Sequence, residues 1–267
     1  MNYIFGLIVF VFGSAIGSFL NVVILRLPRG EKITGRSHCP HCLNTLTAKE
    51  LIPIFSYFWQ NGRCRHCGKK ISPRYFAVEL ISALFFCFAW FWLKPLDLFG
   101  ALLFIKSLFL IAALIAIFTI DLEHYLILDK VLVAAGLPLV AINLIIDLNS
   151  RQPLFSLSSL TIGGIAAGLV LGGFFYLLWL VSKGKWMGFG DVKLMLFLSL
   201  ALGWPAAIVC WFLAFILGFA YSLPLLLMHK KHLTSRLPFG TFLSLAAFIA
   251  FFWGGTIFIW YLSVLGF

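Results

Sequence analysis

Asp121 and Asp191 are the residues whose chemistry needs explaining first. Each is a carboxylate at the edge of an apolar run. One lies in Phe118-Thr119-Ile120-Asp121-Leu122-Glu123-His124 and the other in Gly188-Phe189-Gly190-Asp191-Val192-Lys193-Leu194. Acids are scarce, nine in 267 residues. An ionisable side chain within a membrane segment costs about 2.5–3.5 kcal/mol on insertion scales and points to function by default. Two carboxylates brought together in a low-dielectric site cannot both ionise easily, so they share a proton. The charged member can then take a proton from water while the neutral one polarises a peptide carbonyl. That is aspartic-protease chemistry, and it needs no serine, thiol nucleophile or metal. Gly188 and Gly190 lack Cβ, which lets a substrate backbone come close and permits φ > 0 ahead of the helix. Plainer roles stand beside these. An Asp before an apolar helical run is a favoured N-cap, and Asp121 would also serve as an interfacial residue with Glu123 solvated beside it.

A second constellation is Cys39-Pro40-His41-Cys42 and Cys64-Arg65-His66-Cys67, with 21 residues between the pairs. Two C-x-x-C pairs at about this distance signal a zinc site. Each pair gives two thiolates from one turn, and four thiolates close a tetrahedral Zn²⁺ shell. Such a shell leaves no open position, so the metal is structural. Gly68 follows the second pair and suits its tight turn. Structural Zn²⁺ supplies on the order of 10–16 kcal/mol of binding free energy to a loop with little core of its own. A redox C-x-x-C is the other reading. Cys87 and Cys210 lie within apolar runs, where packing is their default role.

The elements that position these groups are helices in a membrane. The chain is 62% hydrophobic and 11% charged, with a strongly positive mean hydropathy. That excludes an ordinary soluble domain and gives an all-α polytopic membrane protein. The apolar runs predict a bundle of about eight transmembrane helices: about 3–25, 75–93, 98–120, 127–147, 157–182, a short one at 191–203, 205–228 and 240–264. Residues 1–25 are then the first transmembrane helix. Residues 26–74 form an inserted cytoplasmic zinc-knuckle domain, and 75–267 the main transmembrane domain. The apolar run starts at Tyr3 with no basic residue before it, the reverse of a signal peptide's charge order. Gly13, Gly17 and Ser18 suit close helix packing. Glu79 in the second span reads either as a polar partner within the bundle or as an interfacial charge, and Lys106 in the third is expected to snorkel outward.

Charge orients the bundle. Ten of the twenty Lys and Arg lie between Arg26 and Arg74, within a net charge of +11. A basic membrane loop explains them under the positive-inside rule, and no nucleic-acid partner is expected. With the N-terminus outside, the inner loops hold those ten together with Lys130, Lys183, Lys185, Lys230, Lys231 and Arg236. The outer loops hold Lys94 and Arg151. Both aspartates then fall at the cytoplasmic edge. Membrane lipid is the constant partner.

Gly-Phe-Gly-Asp-Val-Lys-Leu at 188–194 resembles the G-x-G-D-x-K motif of the type 4 prepilin peptidases, the membrane aspartyl proteases. Asp121-Leu122-Glu123-His124 resembles that family's other aspartate motif. Gly17-Ser18-Phe19-Leu20-Asn21 with Arg26-Leu27-Pro28 resembles its N-terminal signature, the twin C-x-x-C loop its cytoplasmic domain, and Leu237-Pro238-Phe239-Gly240 a further block. The resemblance implies an enzyme of the bacterial inner membrane. It would cut the basic leader from type IV prepilins and pseudopilins after a glycine, then methylate the new N-terminal amine with S-adenosyl-L-methionine. The catalytic pair maps onto Asp121 and Asp191, with Gly188, Gly190, Lys193, Glu123 and Asp129 in support. The sequence departs from the family where Asp129 follows Leu128 instead of proline, and where Thr241 stands in place of a second proline. No glycine-rich strand–turn–helix marks a cofactor site, so the residues that would bind the methyl donor are not assigned. The competing class is a proton-coupled transporter with a zinc-knuckle regulatory loop.

Overall fold

In hydrocarbon only helices and closed β-barrels satisfy every backbone N–H and C=O group. Continuous apolar runs of about 20 residues match the helix, not the alternating strands of about 9–11 residues of a barrel. The computed structural model describes residues 2–150, 156–228 and 237–266. In chain order its helices are α1 (Asn2–Arg26), α2 (Phe55–Trp59), α3 (Pro73–Leu93), α4 (Leu98–His124), α5 (Asp129–Asn149) and α6 (Leu160–Ala167). A π-helical turn, Gly168–Gly172, joins α6 to α7 (Gly173–Ser182), and α8 (Phe189–Leu202), α9 (Ala206–Leu227) and α10 (Phe239–Val264) follow. Among the described residues seven stretches are long and apolar enough to cross a membrane, with Leu160–Ser182 counted as one. The eighth expected span is α8. Its 14 residues rise only about 21 Å, short of the roughly 30 Å of hydrocarbon. Arg151, Lys230, Lys231 and Arg236, part of the charge count, lie outside the described residues.

The chain divides into two units, Met1–Ala116 and Ile117–Phe267. In the first, α1 and α3 pack against each other through the small residues. A methyl at Gly17 would lie 2.7 Å from Glu79 Cα, and one at Gly13 would lie 2.9 Å from Ala83 Cα. The backbones therefore meet only because no Cβ intervenes. Ser72 caps α3 through the Arg74 N–H, and Pro73 opens its first turn. The Arg26 guanidinium, at the end of α1, donates to the carbonyls of Lys32, Thr34 and Arg36 at 3.3, 2.9 and 3.0 Å. One buried charge thus ties down the start of the inserted loop. Lys106 departs from expectation. It is 2% exposed, because it shares the packed stripe of α4 with Leu110, Leu114 and Ile117.

In the second unit α8 is the central element. Leu194, Met195 and Leu198 are fully buried. The glycine row of the fifth span lies against it: a methyl at Gly164 would stand 2.9 Å from the Ser199 carbonyl oxygen and one at Gly172 would stand 2.5 Å from a Leu196 methyl. Asn143 of α5 donates to the Leu200 carbonyl at 2.7 Å. Asp147, near the end of α5, accepts the Leu160 and Thr161 N–H groups at 2.8 Å each and so caps α6.

Candidate active site and metal centre

Asp121 sits in the last turn of α4 and Asp191 in the first turn of α8; they are 4% and 8% exposed. Asp121 is therefore buried, and only Glu123 beside it is solvated. Asp121 Oδ2 accepts the Thr241 N–H at 2.9 Å and the Thr241 hydroxyl at 3.2 Å. Thr241 lies in the first turn of α10, where backbone N–H groups have no partner within the helix. Pro238 at the N-cap offers no side-chain bond, and Asp121 supplies the missing acceptor from another helix. The helix N-terminus in turn favours the negative charge.

Asp191 is not the N-cap of α8. Gly188 holds that position, and Asp191, three residues on, reaches back to accept the Gly188 N–H at 3.2 Å. This is half of a capping box. The plain capping role and the chemical one thus fall on the same carboxylate. The charge of Asp121 acts directly on Asp191, so the two acids form an interacting pair. The glycines do not work as anticipated. Gly188 has φ −76°, and neither it nor Gly190 is left-handed. Close approach is what Gly190 provides: a methyl there would stand 3.0 Å from Ile127 Cβ. The same Ile127 reaches Gly240, where a methyl would lie 3.1 Å from its Cδ1 and 3.0 Å from Asp121 Oδ2. Ile127 therefore wedges the ends of α4, α8 and α10 together around the pair. Nothing in its type or spacing marked it in the sequence. Thr241 was visible only as a departure from a motif.

The supporting residues divide. Lys193 and Asp129 form an ion pair with each other, and the Lys193 ammonium stands 5.5 Å from the Phe189 ring centroid. Glu123 is exposed, 3.9 Å from His124 Nε2.

The four loop cysteines come together in the first unit. Their sulfurs all lie within 4.8 Å of one another, and Cys39 Sγ is 3.9 Å from Cys67 Sγ. Thiolates at about 2.3 Å from Zn²⁺ in a tetrahedron stand about 3.8 Å apart, whereas a disulfide needs about 2.05 Å. The donor set and spacing fit the metal. Each knuckle closes in the same way. Leu43 N–H bonds the Cys39 carbonyl at 2.9 Å, and Gly68 N–H bonds that of Cys64 at 2.8 Å. Both residues are left-handed, φ +59° and +69°. Glycine takes that conformation freely; Leu43 is held in it by the turn. Burial pushes the Cys39 thiol up, but the N–H groups of Cys42 and His41 and the neighbouring Cys64 and Cys42 outweigh it and hold it down to about 7.

Comparison with known proteins agrees on the family. The profile of the bacterial peptidase A24 N-terminal domain matches residues 11–93, and that of the type IV leader peptidase family matches residues 108–223. A protein named prepilin leader peptidase/N-methyltransferase from Aeromonas salmonicida (strain A449) is 34% identical over 284 residues, covering 97% of this chain and 94% of its own. Its namesake from Aeromonas hydrophila is 35% identical over 281 residues, covering 96% and 93%. The one from Bacillus subtilis (strain 168) is 31% identical over 259 residues, covering 96% and 98%. No solved structure matches the chain. With both of its halves matched and relatives aligned along nearly their whole length, the chain belongs to the type IV leader peptidase family.

Proposed function

We propose that this chain is a prepilin leader peptidase and N-methyltransferase of the bacterial inner membrane, with Asp121 and Asp191 as its catalytic pair. The observation that carries the peptidase half is the pair itself: two buried carboxylates at separate helix ends, with the charge of Asp121 bearing on Asp191. The substrates are type IV prepilins or pseudopilins, whose basic leader is cut away after a glycine. The N-terminus lies outside, so the pair and the cysteine loop face the cytoplasm, where the ten basic residues of 26–74 collect with Lys130, Lys183 and Lys185.

One carboxylate of the pair takes a proton from the attacking water as the new C–O bond forms. The other, protonated, donates to the peptide carbonyl oxygen. When the C–N bond breaks, a proton passes to the leaving amine. Thr241 fixes Asp121, and the Gly188 N–H fixes Asp191, so neither carboxylate must reorganise during the reaction. Cys39, Cys42, Cys64 and Cys67 would hold one structural Zn²⁺, and residues 26–74 form the part of the chain given to methyl transfer, with 75–267 given to cleavage. S-adenosyl-L-methionine is the methyl donor.

The test is mass spectrometry of a purified substrate after incubation, which reads cleavage and a single added methyl together. Asp121→Asn and Asp191→Asn should each abolish cleavage while leaving the helical signal and melting temperature unchanged. Near wild-type cutting by either variant refutes the assignment.

A further inference from the structure

Helix α2 is an apolar element inside a polar loop. Residues 26–74 carry ten Lys and Arg against two acids, Glu31 and Glu50, yet the five residues of α2 are Phe55-Ser56-Tyr57-Phe58-Trp59. Phe55, Phe58 and Trp59 lie on one helix face, at steps of three and four. They are 63, 61 and 66% exposed. Leu51 and Ile52, directly before the helix, are exposed as well. Apolar surface of this kind, rimmed by polar residues, marks an interaction site.

The other face of α2 is fastened to α3. Tyr57 stacks on Phe76, with ring centroids 5.5 Å apart and planes at 26°, and Phe58 meets the same ring edge-on at 5.1 Å. Glu79, buried one turn further along α3, accepts the Ile54 N–H at 2.7 Å. Ile54 stands at φ +66°, a conformation that a β-branched residue takes only where its surroundings hold it. A methyl at Gly62 would lie 3.1 Å from the Tyr57 hydroxyl, so the chain closes over α2 from the far side too. The aim of the exposed face is therefore fixed.

These ties also set its depth. The 21 residues of α3 rise about 31 Å, against roughly 30 Å of hydrocarbon, so Pro73 and Leu93 stand at the two boundaries. Phe76 and Glu79 are then about 4.5 and 9 Å inside. Helices that lie in a membrane interface bury their apolar face about 5–10 Å deep. That is also the level that Trp and Tyr rings favour.

We propose that α2 is a membrane-interface anchor, with Phe55, Phe58 and Trp59 inserted into the leaflet where α1 ends and α3 begins. Depth argues for lipid, and so does charge. Lys49, Arg63, Arg65, Lys69 and Lys70 flank α2 in sequence and are all exposed, whereas Glu50, the nearest acid, is buried. Cations so placed attract anionic headgroups. Because α2 lies between the two cysteine pairs in sequence, its insertion holds both knuckles close to the bilayer. The proposal goes beyond the function above and holds whichever step the loop serves.

The test uses the full, zinc-loaded chain in vesicles of equal parts phosphatidylglycerol and phosphatidylcholine. Photoreactive p-benzoylphenylalanine replaces Phe55, Phe58 or Trp59 in turn. After illumination, mass spectrometry should find phospholipid adducts at all three positions, with phosphatidylglycerol at least twofold in excess. In the same vesicles the double variant Phe55→Asp with Trp59→Asp should raise amide exchange at residues 51–60 tenfold or more. Unchanged zinc content and unchanged exchange within α1 and α3 would show that the unit is folded. Adducts only to a second copy of the chain or to an added prepilin, or no adducts at all, would overturn the proposal, as would wild-type exchange in the double variant. Equal yields of the two lipids would overturn the part given to the cations.

Discussion

Gly240→Ala isolates what the close packing around Asp121 contributes. The added methyl would stand 3.0 Å from Asp121 Oδ2, 3.1 Å from its Cγ and 3.1 Å from Ile127 Cδ1. Carbon contacts settle at about 3.5–4.0 Å, so the carboxylate must retreat by several tenths of an ångström. Ile127 blocks relief on the other side. The retreat lengthens the bonds from the Thr241 N–H and hydroxyl, now 2.9 and 3.2 Å. Hydrogen bonds to a charged group are worth about 1.5–3 kcal/mol, and weakening the pair by about 1.5–3 kcal/mol translates into a roughly 10–100-fold loss of rate. The fold should not suffer. Gly240 lies in the first turn of α10 and is not left-handed, and alanine is the better helix former by up to about 1 kcal/mol. The expected outcome is a fall in kcat for leader cleavage with a melting temperature equal to or above that of the wild type. A variant that cleaves within twofold of the wild-type rate would refute the claim that this contact positions the carboxylate.

Thr241→Val keeps the N–H bond and loses the hydroxyl at 3.2 Å, a loss of about 1 kcal/mol or several-fold in kcat. Thr241→Pro removes both donors and should cost more; equal rates for the two variants would show that the N–H bond is idle. Chelating the metal should leave helix content nearly unchanged while amides between residues 36 and 72 exchange faster with deuterated solvent, and the untreated protein should carry about one equivalent of zinc. Arg26→Met strands three carbonyls, each costing about 1–3 kcal/mol if left unpaired. Exchange at residues 32–36 should then rise well above the wild-type rate, and an unchanged rate would mean that Arg26 does not hold the loop.

Most of the helix plan was legible because apolar length is a one-dimensional signal. Each expected span meets a described helix within a few residues, and the two cysteine pairs meet each other because their ligand chemistry requires it. What the sequence could not show was how helix ends meet. Asp121 was placed where its apolar run stops, yet α4 continues to His124, because a helix end is set by its backbone partners and not by where hydrophobicity falls. Thr241 stands 120 positions from the carboxylate it bonds. A contact of that separation leaves no periodicity to read. Lys106 failed for a related reason: snorkelling is a default for a lysine alone on a helix, and the packed face of α4 removes that default.

The departure at Thr241 gains a meaning from this geometry. A proline at that position has no N–H and no hydroxyl, so it could give Asp121 neither of its two bonds. Here both exist, and both end on the same oxygen, Oδ2. That leaves Oδ1 as the oxygen free of Thr241. Asp191 is anchored in the same manner, through Oδ2 to the Gly188 N–H. Each acid is thus gripped by one oxygen at a helix N-terminus, α10 for Asp121 and α8 for Asp191. The helix ends hold the two carboxylates as a pair, and Gly190 and Gly240 let Ile127 lock those ends in place.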